Sequence, residues 1–348
     1  MKKRLFVLLV LFAVIATSVF ANGDKETKAA KASNSLVIYS PQADSERGEW
    51  ILNKCKEATG LDVQFLTAGG GELSDRLIAE KKNPQADIVF GLVQTAMYQL
   101  KTEDIFEPYK PSWANDIPAV YCDKDEQFHC FWQTPIVIAY NTDFLNAQTA
   151  PQDWLDLAKP QYKGKYTIGG TSSQTTRSFL IGILWNFYDY DKGDVTDEGW
   201  NVLRQIYLNA ASAPTGGNTW TAMKEGTNPL NLSWFGGIKS KTEANEIPVA
   251  YVKPVNGTPI VSESIAIIKG TKNLENAKKF VEWFGSPEFM AEYANQFKQA
   301  PVHPQAIENC IDEVKEDALM FTAQDIDWEI AATHMFDWLE KIELEIMP

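Results

Sequence analysis

Three glycine- and hydroxyl-rich turns carry the groups best placed for chemistry in this 348-residue sequence. The first, Gly169-Gly170-Thr171-Ser172-Ser173-Gln174-Thr175-Thr176-Arg177, precedes an apolar run from Ser178 to Phe187. If that run is a helix, its first N–H groups lack helical partners and its dipole favours negative charge. Hydroxyls such as Ser172, Ser173 and Thr175 would then converge with main-chain donors on an anion. Arg177 is unfavourable at that end unless a negative group lies between it and the dipole. A capped helix with Arg177 paired to a surface carboxylate is the competing account. Ala68-Gly69-Gly70-Gly71 exposes backbone N–H groups before a second helix, and Thr215-Gly216-Gly217-Asn218 sets small donors before a third, next to Trp220. Flexible turns would use the same glycines. The chemistry on offer is capture of an anion by neutral donors.

Motifs for transforming a substrate are missing. There is no GxxxxGK[ST], no strand-linked GxGxxG, no GxSxG and no HExxH, and His129, His303 and His334 lie far apart. No catalytic residue, cofactor or metal ligand is assigned. The 46 Asp and Glu residues offer many carboxylate pairings for glycosidic chemistry, but such residues on an exported protein are mostly solvated surface. A formal charge of −14 excludes a mainly electrostatic nucleic-acid binder. It leaves room for a small anion, because one arginine or a helix end can dominate a buried site.

The elements that must position these turns follow from periodicity. Leu36 to Ser40, Val63 to Leu66 and Ile88 to Phe90 read as strands, and Asp44 to Ala58 and Glu72 to Lys82 as helices between them. This alternation implies parallel pairing, with ligand loops at the carboxyl ends of the strands: Ser40-Pro41-Gln42, the triple glycine with Gly70 and Gly71, and Gly91 to Gln94. The run FWQTPIVIAYN, interrupted by Pro135, suggests a crossing between lobes. Tyr166 to Ile168 reads as a strand, LNLSWFGG as a strand with a terminal loop that sets Trp234 and Phe235 near a cleft, and Ser264 to Ile268 as another strand. Helical patterns cover Leu274 to Phe284, Pro287 to Phe297 and Asp325 to about Leu344. Tryptophans 132, 185, 220 and 234 are read first as packing residues.

MKKR, the apolar run Leu5 to Ala16 and the small-residue pattern ending at Ala21 read as a signal peptide, residues 1–21, without a lipidated cysteine; a polar tail spans 22–34. Losing Lys2, Lys3 and Arg4 takes the formal charge from −14 to −17. Export makes pairing possible for Cys55, Cys122, Cys130 and Cys310, and Cys122 with Cys130 suits a clipped hairpin. No C-x-x-C spacing points to a metal.

Five stretches together resemble the periplasmic solute-binding proteins of ABC importers, in the subgroup that includes ferric-ion, thiamine, hexose-phosphate and phosphonate binders. They are LVIYSPQADSE, GGGELSDRLIAEKKNPQADIVFG, VIAYNTDFL with DWLDLAKPQYKGKYTI, SESIAIIKGTKNLENAKKFVEWFGSPE, and DWEIAATHMFDWLEK. The resemblance implies an α/β, two-lobed fold of type II with hinge-connected lobes and a central cleft. The lobes are expected at residues 35–133 plus 260–348 and at 134–259. It also implies a periplasmic, monomeric protein that binds and releases without chemistry and delivers its solute to a membrane permease. Cleft positions carried over are Ser40, Pro41, Gln42, Gly70, Gly71, Thr171 to Thr175, Thr215, Gly216, Gly217, Asn218 and Trp234. The adjacent tyrosines of ferric members are replaced here by SWFGG, so an anionic, phosphate-bearing organic solute is expected first, a thiamine-type solute second and ferric ion third. An exported two-lobed hydrolase is the reading from another class.

Overall fold

The computed structural model describes residues 34–43, 45–212 and 218–348; the expected signal peptide, the tail up to residue 33, and Thr215, Gly216 and Gly217 lie outside the described residues. From the first described residues, β1 (Ser35–Tyr39) leads to α1 (Ser45–Thr59), β2 (Asp62–Leu66) to α2 (Gly70–Glu80), and β3 (Ile88–Val93) to α3 (Gln94–Thr102). Both β2 and β3 run parallel to β1, one on each side. Side chains alternate between the faces of this sheet. Leu36, Ile38, Ile88 and Phe90 pack on one side with Ile51 and Cys55 of α1, while Tyr39 and Val89 pack on the other with Leu73, Leu77 and Met97. Burial on both faces accounts for the continuous apolar runs.

After the short β4 (Phe106–Glu107), β5 (His129–Asn141) runs for 13 residues. There follow α4 (Gln174–Trp185), a hairpin of β6 (Tyr188–Asp189) and β7 (Asp194–Val195), α5 (Asp197–Asn209), α6 (Thr219–Lys224), β8 (Leu230–Trp234), α7 (Phe235–Ala244) and β9 (Val249–Tyr251). The long strand β10 (Ile260–Ile268) then precedes α8 (Leu274–Phe284), α9 (Pro287–Phe297), α10 (Pro304–Glu308), α11 (Asp312–Leu319) and α12 (Trp328–Lys341). The main sheet has the order β2-β1-β3-β10-β5-β8.

The two long strands join two packed bodies. Residues 129–135 of β5 pair antiparallel with β10, and from Ile136 onward β5 pairs with β8 and then β9. Pro135, which has no N–H to donate, falls where the partners change. One core lies under α1, α8 and α9, around Phe90, Phe131, Phe280 and Phe284. Another collects Trp154 and Phe179 with Leu203 and Ile206 of α5. The C-terminal helix α12 packs on both bodies: Ala331, Met335 and Trp338 enter that second core, while Glu329 pairs with Lys101 of α3 at 3.3 Å. Its apolar spacing announces a buried face but not which body covers it.

Three local expectations are corrected. Tyr166 to Ile168 forms no regular strand; Tyr166 is a buried plug whose hydroxyl donates to the Ile206 carbonyl at 2.7 Å and the Leu157 carbonyl at 3.0 Å. The expected loop after Trp234 is helix α7 from Phe235 onward. All four cysteines are free thiols. Cys122 faces His129 across an antiparallel bridge, so Cys130, one residue on, projects from the opposite face, and its Sγ lies 3.4 Å from Ser264 Oγ.

Candidate functional site

The floor of the principal cleft is written in the register of the crossing strands. Val261 pairs with Thr134, and residues two apart share a face, so Thr134 and Ile136 of β5 lie with Val261 and Glu263 of β10 on one surface. One wall is Pro41 and Gln42 after β1, Arg47 of α1 and Val93 at the end of β3; the other is Gln174, Thr175 and Ser178 of α4 with Trp234. The open cleft between these walls holds about 320 Å³. It adjoins a hollow of about 400 Å³ that shares Arg47, Thr134, Trp234 and Gln299 and extends to Lys239 and Asp317.

Gln174 and Thr175 are the first two residues of a 12-residue helix, so their N–H groups have no partner within it. Ser173 caps this helix, accepting from the Thr176 N–H at 3.4 Å. The positive end of the α4 dipole therefore borders the cleft.

Arg47 and Glu263 are the charged residues lining the smaller space, and a relay of neutral groups joins them. Arg47 Nη1 donates to Tyr293 Oη at 3.1 Å and to Gln299 Oε1 at 3.3 Å. Gln299 Nε2 donates to Thr134 Oγ1 at 3.4 Å, and the Thr134 hydroxyl donates to Glu263 at 3.1 and 3.2 Å. The Arg47 guanidinium also lies 5.3 Å over the Phe297 ring. Glu263 is 7% exposed. Burial pushes its carboxyl up to about 7, and the Thr134 and Gln42 hydrogen bonds and the Arg47 charge only partly offset this.

Pro41, Gln42, Thr175 and Trp234 line the cleft. Ser40 is fully buried beneath them, its Oγ accepting from the Gln42 N–H at 3.0 Å. Gly91, at φ +86°, could carry no Cβ without crowding Gln42 Cγ at 3.0 Å, so it holds that loop from the other side. Gly70 and Gly71 open α2 and are not cleft-lining. The Thr171, Ser172 and Ser173 turn stays behind the wall: Thr171 donates to Glu343, and Ser173 serves as the cap. Asn218 caps α6, accepting from the Thr221 N–H at 3.1 Å.

Arg177 departs from its expected place. Its Nε donates to the Thr171 carbonyl at 2.6 Å, and it borders a small apolar gap against Met335, Trp338 and Ile342. The charge near the helix start is met by a main-chain carbonyl rather than by anything in the cleft. Of the tryptophans singled out by the sequence, Trp132 stacks on Tyr293 at 4.2 Å in the core, Trp185 and Trp220 are packed, and Trp234 is 45% exposed at the cleft.

Gln174 lines the cleft from within the expected Thr171 to Thr175 turn, and residues with no motif to mark them complete the site: Arg47, Thr134, Ser178, Glu263 and Gln299. A usable signal existed for Glu263, a carboxylate inside the otherwise apolar and hydroxylated strand IVSESIAII. Arg47 in DSERGEW looks like any exposed helical arginine.

The sequence model of the family described as bacterial extracellular solute-binding protein matches residues 50–322. The “Probable ABC transporter periplasmic-binding protein y4fP” of Sinorhizobium fredii is 47% identical over 313 residues, covering 90% of this chain and 87% of that protein. Among solved structures, a Trichodesmium protein, IdiA or FutA, in complex with iron and citrate ligands has a TM-score of 0.76 at 19% identity, covering 89% of this chain and 98% of that one. The periplasmic binding protein AfuA of Actinobacillus pleuropneumoniae, with exogenous fructose-6-phosphate bound, has a TM-score of 0.67 at 22% identity, covering 90% and 98%. These neighbours share the two-lobed periplasmic-binding-protein fold. No helix among the described residues is long and apolar enough to cross a membrane.

Proposed function

The chain belongs to the bacterial extracellular solute-binding proteins, as the periplasmic binding component of an ABC importer, and on that premise we propose that it captures a small, phosphate-bearing organic anion. The solute lies between the first turn of α4 and Arg47, over the floor made by the crossing strands. It is held without being transformed and handed to the membrane permease. The observation that carries this reading is the α4 N-terminus facing the same small cleft as Arg47. Pro41, Gln42 and Thr175 supply neutral contacts, and Trp234 offers a face for a ring or an apolar edge. Arg177 takes the supporting role of fixing the turn before α4, in place of direct contact with the anion.

We place the hinge at Thr134–Pro135 and at residues 259–260, with the first lobe at 35–133 and 260–319. Residues 134–259 form the second lobe, and α12 packs on both lobes, through its buried face on the second core and through Glu329 on Lys101 of the first lobe. Closure of such lobes on a ligand follows from tighter binding to the closed form. Ferric ion is ranked lower because no described cleft-lining residue is a tyrosine.

A thermal-shift screen with phosphosugars, phosphonates, thiamine phosphates and ferric ion tests the reading. A ligand that binds the folded state raises the melting temperature by mass action. Stabilisation by a phosphate- or phosphonate-bearing solute is expected. Stabilisation by ferric ion alone would overturn it.

A further inference from the structure

The floor of the cleft holds an acid where an anion is expected to bind, and this determines what else the solute must carry. Resting on the anion-capture reading, we propose that Glu263 is a specificity-determining residue: it admits phosphate-bearing solutes that also present a hydroxyl or ammonium donor, and disfavours those that do not.

Glu263 lines the cleft while nine-tenths of its surface is buried. An ionised carboxylate can accept about four hydrogen bonds. Thr134 serves both oxygens with a single hydroxyl, and Gln42 and the Glu263 main-chain N–H add one donor each, three donors in all. Acceptor capacity therefore remains on the side facing the solute. No ammonium or guanidinium lies within ion-pair distance of Glu263 among the described residues: Gln299 and Thr134 stand between it and Arg47, whose charge acts on it at longer range. From α4 it is faced by Gln174, Thr175 and Ser178, all uncharged. The further charges, Lys239, Glu243, Lys298, Glu313 and Asp317, lie in the adjoining hollow.

A bare anion drawn toward the α4 end would strip water from this carboxyl and put a second negative charge near it. A solute with a donor group at its other end restores the lost hydrogen bond. Sites built around a buried acceptor discriminate strongly against analogues that leave it unpaired. The arrangement reads as two poles, anion at α4 and Arg47, donor at Glu263. Burial holds the Glu263 carboxyl near neutrality, so the ammonium preference should strengthen as pH rises through about 7.

The test is calorimetric titration of the full chain with three phosphate esters that share a two-carbon chain and differ in its terminal group: O-phosphoethanolamine, 2-hydroxyethyl phosphate and ethyl phosphate, with inorganic phosphate as the fourth probe. Wild-type protein should bind the first two more tightly than ethyl phosphate by roughly tenfold or more. In Glu263→Gln the advantage of O-phosphoethanolamine should collapse. Thr134→Val, which removes the hydroxyl competing for the carboxylate, should widen it, so a second variant answers if the first fails to fold. Equal wild-type affinity for the three esters, or a ratio unmoved by both substitutions, overturns the inference while leaving anion capture standing. Binding of none of the four probes overturns anion capture and this inference together.

Discussion

Thr134 donates its hydroxyl to both carboxylate oxygens of Glu263, at 3.1 and 3.2 Å, across the two strands that join the halves of the molecule. The acid of the cleft is thereby fixed to the hinge itself, and its ionisation is felt by the fold as well as by a solute.

Burial raises the Glu263 carboxyl from 4.5 to about 7. Below pH 4.5 the group is protonated in both folded and unfolded chains and makes no difference. Between 4.5 and 7 only the unfolded chain ionises, so stability falls as pH rises and levels off above 7. The loss is on the order of 3 kcal/mol. Glu263→Gln, which cannot ionise, should show a stability advantage over wild type that grows through this window. Urea denaturation across pH measures it, and a gap that stays constant with pH refutes the assignment.

Trp234 lies against the glycines that follow it. A Cβ on Gly237 would fall 2.5 Å from Trp234 Cε2, and one on Gly236 2.9 Å from Cζ3. Gly237→Ala should therefore displace the indole while leaving α7 intact, since alanine favours a helix. We expect a changed tryptophan emission and solute affinity reduced by roughly tenfold, about the effect of a lost aromatic contact. Wild-type affinity in the variant would show that Trp234 is a bystander.

Lys239 of α7 bonds Asp317 at 2.8 Å and Glu313 at 3.0 Å on α11. Burial works against the ammonium, but the two carboxylates outweigh it and hold its pKa above the usual lysine value. Val314 of α11 packs in the first core, whereas Phe235 and Ile238 of α7 pack with β5 residues Val137 and Ala139. The ion pairs thus span the cleft mouth. Partial exposure limits their worth to about 1 kcal/mol, roughly fivefold in an equilibrium. Lys239→Ala should increase the radius of gyration of the ligand-free protein in solution scattering and weaken solute binding by a few-fold. An unchanged scattering profile would remove the latch from the account.

The four thiols provide a covalent check. Cys130 is fully buried, and desolvation pushes its thiol up to about 12, well away from reactivity at neutral pH. Alkylation after unfolding without reductant should label all four cysteines by mass spectrometry. Two alkyl adducts missing per pair, and gained once reductant is added, would establish a disulfide instead.

Much of the scaffold could be read from local pattern. Period-two and period-3.6 spacing located β1 to β3 and the helices between them, and α8 and α9 to the residue, because burial of one face demands that spacing. Alternation of strands and helices then implied parallel pairing, and Pro135 marked the crossing by its missing donor. Pattern failed where a residue's partner lay far along the chain. Helix electrostatics alone points Arg177 at an anion, yet its side chain lies against Met335, Trp338 and Ile342, far along the chain, with its Nε held by the nearby Thr171 carbonyl. Tyr166 looked like strand because its apolar neighbours share that composition, although its hydroxyl is claimed by carbonyls of two other segments.

The sequence by itself determined the elements, their order and the turns able to offer donors, since each depends on neighbours within a few residues. Only the tertiary structure decided which of those donors meet. Arg47, Thr134, Thr175, Glu263 and Gln299 come from distant segments with no shared spacing. They converge because two antiparallel strands cross between the lobes in one register, and shifting it by a single residue would turn Thr134 and Glu263 to the opposite face.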